Sequence, residues 1–252
     1  MTLEFIMNTT RIEETAGWPP EKTVIAVPAV ELRVLAGDHP VHLANADAIT
    51  ANWAAEIAAN PTLFDGRMVF QRRLEITSSG IRGEGHVVPF SSFMWWRKQA
   101  DRSGGFHLFG YPVIASSDGA LVAIRMGAHT ANPGQVYFAA GSLDEHDIVD
   151  GFCDIASNMR REVGEETGLD LDLATADGGY YGVHQNSTVT LFRIFRFSQT
   201  AEELVAAIER HMIDDEEQEI AGAVVIRSAD PKAQPYHGSM VTILDWYFNR
   251  QA

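Results

Sequence analysis

Residues 161–169 read REVGEETGL, a helix end crowded with like charge. Positions three and four apart share a helix face, so Glu162 lies beside both Glu165 and Glu166. Like charges at that spacing cost roughly 0.2–0.5 kcal/mol per pair. The C-terminal end of the helix macrodipole disfavours them further. Gly168 stands where a left-handed C-cap residue belongs, and Leu169 can supply the apolar contact that follows it. Upstream, Ile148, Phe152, Ile155, Met159 and Val163 recur at spacings of three and four, which predicts a helix over 148–167. A fold that carries this helix must give the carboxylates a use that offsets their repulsion. Divalent cations bridged by carboxylates are the natural one, because hard oxygen ligands suit Mg²⁺, which also binds substrate phosphates. An isolated Glu-Glu pair would read instead as a solvated helix end.

The segments around this helix alternate between strand and helix. Lys22–Gly37 is apolar and β-branched and predicts a strand, with Pro28 at an edge or bulge. Ala46–Asn60 places Ile49, Trp53 and Ile57 at spacing four on an Ala-rich helix that ends before Pro61. Residues 60–85 predict a turn, a strand and a second turn, and VVPFSSFMWWR a short helix, followed by a Ser-Gly-Gly hinge near Gly104 and Gly105. Residues 106–126 form two apolar runs joined by Ser117-Asp118-Gly119, a hairpin signal. Strand YYGVHQNSTVTLFRIFRFS, helix AEELVAAIERHM, acidic run IDDEEQEI, strand AGAVVIR and a last helix through GSMVTILDWYF complete the chain. Such alternation implies a mixed sheet covered by helices.

A net charge of −15 argues against a nucleic-acid-binding face. It is compatible with a small phosphorylated ligand held through cations. No segment reaches the roughly 18 apolar residues of a membrane span. The first residues, MTLEFIMNTTRIEE, lack a basic and then apolar pattern, so no signal peptide is expected. One cysteine, Cys153, precludes an intrachain disulfide and a Cys-rich zinc site, and with the foregoing points to the cytoplasm. The histidines show no HxxxH or HxH spacing, and there is no Ser-His-Asp elbow or phosphate-cradling glycine loop. Oligomeric state stays open, a homodimer among the options.

Arg161-Glu162-Val163-Gly164-Glu165-Glu166-Thr167-Gly168-Leu169 resembles the second half of the Nudix box, the signature of hydrolases of nucleoside diphosphates linked to another moiety. At ordinary residue frequencies, its seven fixed positions would occur by chance on the order of once in 10⁴ chains of this size. The first half departs from the family pattern: Gly141 is followed after five residues by Asp147 in place of Glu, and thirteen residues then separate Asp147 from Arg161. This corresponds to a Glu-to-Asp change plus a six-residue insertion. The resemblance implies an α/β fold, the Nudix-type α/β/α sandwich with a mixed sheet over residues 105–252, preceded by an N-terminal α+β extension, residues 1–104. It implies Mg²⁺, with Mn²⁺ an alternative, ligated by Glu162 and Glu166, with Glu165 a ligand or holder of the attacking water. The carbonyl of Ala140 or Gly141 would complete the shell, and Arg161 would orient the glutamates. A general base is expected from the acidic run, with Glu216, Glu217 and Glu219 as candidates.

A second run, NPTLFDGRMVFQRRLEITSSG (Asn60–Gly80) followed by SSFMWWR, resembles the N-terminal region of the UDP-glucose and UDP-galactose hydrolysing branch of that family. It implies a small-molecule nucleotide substrate cleaved to UMP and a hexose 1-phosphate. ADP-ribose, ADP-sugars, NADH and coenzyme A stay open, as does a non-catalytic domain that binds a nucleotide. Trp95, Trp96, Tyr180, Tyr181 and Phe138 are candidates for base stacking, Arg125, Arg193 and Arg196 for phosphate contacts, and His107 and His184 for site histidines.

Overall fold

The computed structural model describes residues 15–215 and 217–250. The leader reading of MTLEFIMNTTRIEE and the candidate Glu216 fall outside them. In chain order come β1 (Ile25–Val27), β2 (Val30–Leu35), α1 (Pro40–Ala44), α2 (Ala46–Ala59), β3 (Arg67–Thr77), β4 (Gly80–Pro89) and α3 (Phe90–Trp96). They are followed by β5 (His107–Ala115), β6 (Leu121–Met126), β7 (Val136–Tyr137), β8 (Ile148–Val149), β9 (Phe152–Cys153) and α4 (Ile155–Thr167). Last come β10 (Thr175–Ala176), β11 (Tyr180–Gln185), β12 (Thr188–Arg196), α5 (Ala201–Asp214), β13 (Ile220–Ile226) and α6 (Gly238–Asn249). No described helix is long and apolar enough to cross a membrane.

The larger sheet runs β1-β11-β12-β5-β6-β13, with β10 beside β12 and β7 beside β6. It is mixed: β12 and β5 pair in parallel over nine residues, and the other pairs are antiparallel. A Cβ on Gly110 of β5 would lie 2.7 Å from the Met159 methyl, which shows α4 pressed onto that face. Tyr111, the next residue, is in register with Phe192, whose ring meets Trp246 of α6 at 5.2 Å. Successive strand residues point to opposite faces, so α4 and α6 cover opposite sides of the sheet. The result is a helix–sheet–helix sandwich around one continuous apolar core.

The smaller sheet runs β3-β4-β2-β9-β8. The strand expected over Lys22–Gly37 is broken at Pro28, and its halves join different sheets: β1 pairs with β11, whereas β2 pairs with β4. β4 takes the place of the second turn expected before residue 86 and of the start of the helix expected over VVPFSSFMWWR, and its inner glycines serve packing. A Cβ on Gly83 would lie 2.7–2.8 Å from Leu74, Gln71 and Leu32 side chains. The hinge expected near Gly105 is likewise close-packed, with a Cβ there only 2.6 Å from the Phe70 ring. Met68, Phe70, Val88, Phe93, Met94 and Trp96 form a satellite core between this sheet and α3.

The helix predicted over 148–167 begins instead at Ile155. Asp154 caps it by accepting from the Ser157 amide at 3.0 Å. Residues 148–153 form the β8–β9 hairpin, turned by Asp150 (φ 50°) and Gly151 (φ 81°), a pair suited to a two-residue turn. This hairpin takes up six of the thirteen residues between Asp147 and Arg161. It closes on itself, since the Asp154 amide donates to the Asp147 carbonyl at 2.7 Å. Seven residues, 154–160, then separate that closure from Arg161. Its second strand, β9, pairs with β2 through Arg33 and Phe152 and leaves β8 at the sheet edge. Gly168 does end α4 in the left-handed region, at φ 66°. Replacing Asp154 by Ala removes the cap and should lower unfolding stability by about 1 kcal/mol with an unchanged denaturant slope, as measured by urea titration.

Candidate active site

Arg161 stands at the centre of a charged cluster. One guanidinium nitrogen donates to Glu162 at 2.9 Å and to Glu165 at 3.0 Å. The other donates to Asp147 at 3.0 Å and lies 3.3 Å from Asp144. Asn158, fully buried, donates to Asp147 at 2.9 Å and sits 3.5 Å from Glu162. The inserted hairpin therefore leaves Asp147 facing Arg161.

Glu162 and Glu166 are 8% and 5% exposed, unusual for glutamates, whereas Glu165 is exposed. Both line a cleft of about 730 Å³, with Glu165, Ala140 and Gly141. A Cβ on Gly141 would fall 2.4 Å from the Glu162 carboxylate, so only glycine lets that carboxylate lie there. Burial, followed by the charges of Glu165, Asp147 and Glu219, pushes Glu162 from the ordinary 4.5 up to about 8 against the opposing pull of Arg161. Glu166 is also pushed well up, first by burial and then by Glu162 and Glu219, although the Ala140 backbone donates to it. Its Oε2 is buried without a hydrogen-bond partner. Among the described residues no three His, Cys, Asp or Glu side chains already converge as a closed ligand set. The orphaned carboxylate oxygen, the glycine cradle and the hard oxygen donors nonetheless fit a divalent cation. Glu162 and Glu166 could hold it, with Glu165 and the Ala140–Gly141 backbone beside them.

Of the acidic run, Glu217 and Glu219 both line the cleft. Glu219 is the one whose charge reaches Glu162 and Glu166. Partial desolvation and then Glu217 push its own carboxyl up. His107, His184 and Trp96 line the cleft as well, and so does the Thr62–Gly66 stretch of NPTLFDG, whose Phe64 is 83% exposed at the rim. Asn60 and Thr62 tie that stretch to the His129 carbonyl at 2.8 and 2.9 Å.

Trp95, Phe138, Tyr180 and Tyr181 lie outside the cleft. Phe138 is core, and Tyr181 stacks on Phe192 and Trp246. Arg125, Arg193 and Arg196 do not reach it either. Arg125 binds Gln234 at 2.6 Å, and the other two bind Asp177. The arginines that do line it besides Arg161 are Arg67, Arg97 and Arg102; the first two lie within the runs Asn60–Gly80 and SSFMWWR, but none was singled out as a site residue.

No known family's sequence profile matches the chain, and no curated protein does. Solved structures that resemble it include DR0079 from Deinococcus radiodurans, at 11% identity over 56% of this chain and 83% of that one, with a TM-score of 0.39. The MutT protein of Methanosarcina mazei Go1 is 12% identical over 58% and 95%, with a TM-score of 0.38. A Nudix hydrolase of M. smegmatis, RenU, is 12% identical over 58% and 83%, with a TM-score of 0.37. At this distance the functional reading rests on the site's own residues.

A carboxyl whose pKa is raised on folding binds more protons in the native state than in the unfolded state, so stability falls as pH rises from the unfolded to the folded pKa. For Glu162 that window runs from about 4.5 to about 8. In EDTA the melting temperature should fall from pH 5 to pH 8, and Glu162→Gln should flatten that fall and melt higher than wild type at pH 8.

Proposed function

We propose that this chain is a divalent-cation-dependent hydrolase of a nucleoside diphosphate linked to a second moiety. The preferred substrate would be UDP-glucose or UDP-galactose, yielding UMP and a hexose 1-phosphate. The observation that carries the reading is the buried Glu162–Glu166 pair, with an unpartnered oxygen, lying against Gly141 in a large cleft. Such a pair is costly unless a cation joins it. Mg²⁺, or Mn²⁺ in its place, would be held by Glu162 and Glu166, and would supply neutralisation of the diphosphate and a more acidic attacking water.

The chain's own groups account for the rest. Arg161 fixes the rotamers of Glu162 and Glu165 through two hydrogen bonds and is itself fixed by Asp147. Glu219, or Glu165, would take the proton of the attacking water as the bond to the bridging oxygen breaks and the leaving phosphate departs. Glu219 is favoured because partial desolvation, and then the charge of Glu217, raise its proton affinity. Residues 1–104, read as an N-terminal extension, would supply the wall that selects the sugar or uracil. The Thr62–Gly66 rim and Trp96 support this part of the reading.

The test is phosphate release with a coupled phosphatase from UDP-glucose, UDP-galactose, ADP-ribose, ADP-glucose, NADH and coenzyme A, each with and without Mg²⁺. UDP-hexoses should turn over fastest and only with the cation. Glu166→Gln should lower kcat by at least about a hundredfold, as loss of a principal charge contact does, while melting as a folded protein. Preference for ADP-ribose would remove the UDP-hexose assignment, and a folded protein silent on all six would remove the hydrolase reading.

A further inference from the structure

Arg97 is a partly buried guanidinium on the cleft wall with no carboxylate in ion-pair reach among the described residues. It caps the end of α3, where its Nη2 donates to Asn132 Oδ1 at 2.9 Å and its Nη1 lies 3.7 Å from Met94 Sδ. Its carbon centre sits 5.7 Å from the Phe93 ring. Glu56 is the one carboxylate whose charge reaches it, and Glu56 is already engaged by Lys98. The other arginines of this cleft are provided for. Arg161 has four carboxylates, Arg67 has Glu145 at 3.6 Å, and Arg102 donates to the Arg97 and Asn186 carbonyls. Partial burial desolvates this guanidinium, a cost that a bound anion would offset.

His107 stands on the same aromatic shelf. Its ring packs 4.3 Å from Phe93 and stacks on Phe109 at 5.0 Å and 25°. Its Nε2 is buried without a hydrogen-bond partner. Burial pushes its pKa to about 3, so at neutral pH it offers a hydrogen bond and no charge. The positive charge at this end of the cleft therefore comes from the arginines.

We propose that Arg97 binds a phosphate group of the ligand directly, forming with Asn132 and His107 an anion subsite in the cleft that the carboxylate pair also lines. The planar guanidinium fork suits two phosphate oxygens at once. The identity of the anion as phosphate rests on the nucleotide reading above, whereas the unmatched guanidinium does not. Arg97 orients the ligand while Glu162 and Glu166 remain free to hold the cation.

The test is calorimetric binding to the full chain in EDTA, where no turnover occurs, with UMP, inorganic phosphate and uridine as probes. Wild type should bind UMP more tightly than uridine. Arg97→Gln should weaken UMP and phosphate binding by about tenfold or more, as loss of a charge-assisted contact does. Arg97→Lys should restore part of the loss, uridine binding should not change, and an exposed control, Arg73→Gln, should behave as wild type. Unchanged UMP affinity in folded Arg97→Gln would overturn the subsite. So would an equal loss for uridine, or a wild type that binds none of the probes. If the six-substrate panel is silent while UMP binding still depends on Arg97, the hydrolase reading fails and the subsite stands.

Discussion

One guanidinium holds the site together. Arg161 lies within 3.3 Å of four carboxylates, and the neutral amide of Asn158 braces the set from behind. Without that positive centre, Glu162, Glu165, Asp144 and Asp147 would repel one another across a poorly solvated space. With it, Glu162 and Glu165 are directed towards the cleft, and the repulsion left over falls between Glu162 and Glu166. Burial raises the proton affinity of both, aided at Glu162 by the charges of Glu165, Asp147 and Glu219 and at Glu166 by those of Glu162 and Glu219. Binding a cation and binding protons are alternative ways of relieving the same strain.

The hairpin of β8 and β9 lengthens the chain between Asp147 and Arg161 without parting the two side chains. Six residues leave the loop and return to a hydrogen bond between Asp154 and Asp147. Asp147 consequently faces Arg161, and the helix starts where its cap dictates. The inserted strand also pairs with β2, and β1 pairs with β11, so each sheet borrows chain from the other half of the sequence. The cleft is lined from both: by Thr62–Gly66 and α3, and by α4 with Glu217 and Glu219.

The glutamate-bearing helix end, its Gly168 stop and the strand-helix alternation were legible because each is a local pattern. Two local patterns misled. The apolar period through Ile148 and Phe152 carried the helix too far upstream, past an Asp150-Gly151 turn signal. The second turn expected before residue 86 is instead the start of a strand, where close packing of Gly83 against Leu32 and Leu74 and of Gly85 against Phe70 and Gln71 requires small residues. Arg97 was only half legible. It ends the quoted run SSFMWWR, but no local pattern gave it a role, and its significance comes from which carboxylates the folded chain places elsewhere. Arg193 and Arg196 illustrate the converse: they sit on an apolar strand that invited a phosphate role, and Asp177 occupies both.

The most direct test of the account is proton release on cation binding. Mg²⁺ would be titrated into the protein at pH 7 in weak buffer, with the released protons counted by a pH indicator. The buried pair should release about one proton or more per cation bound, since its carboxyls are protonated well above their ordinary range. Glu162→Gln and Glu166→Gln should each reduce both the release and the affinity. Tight binding with no proton release, or release unchanged in both variants, would contradict a cation site built on Glu162 and Glu166.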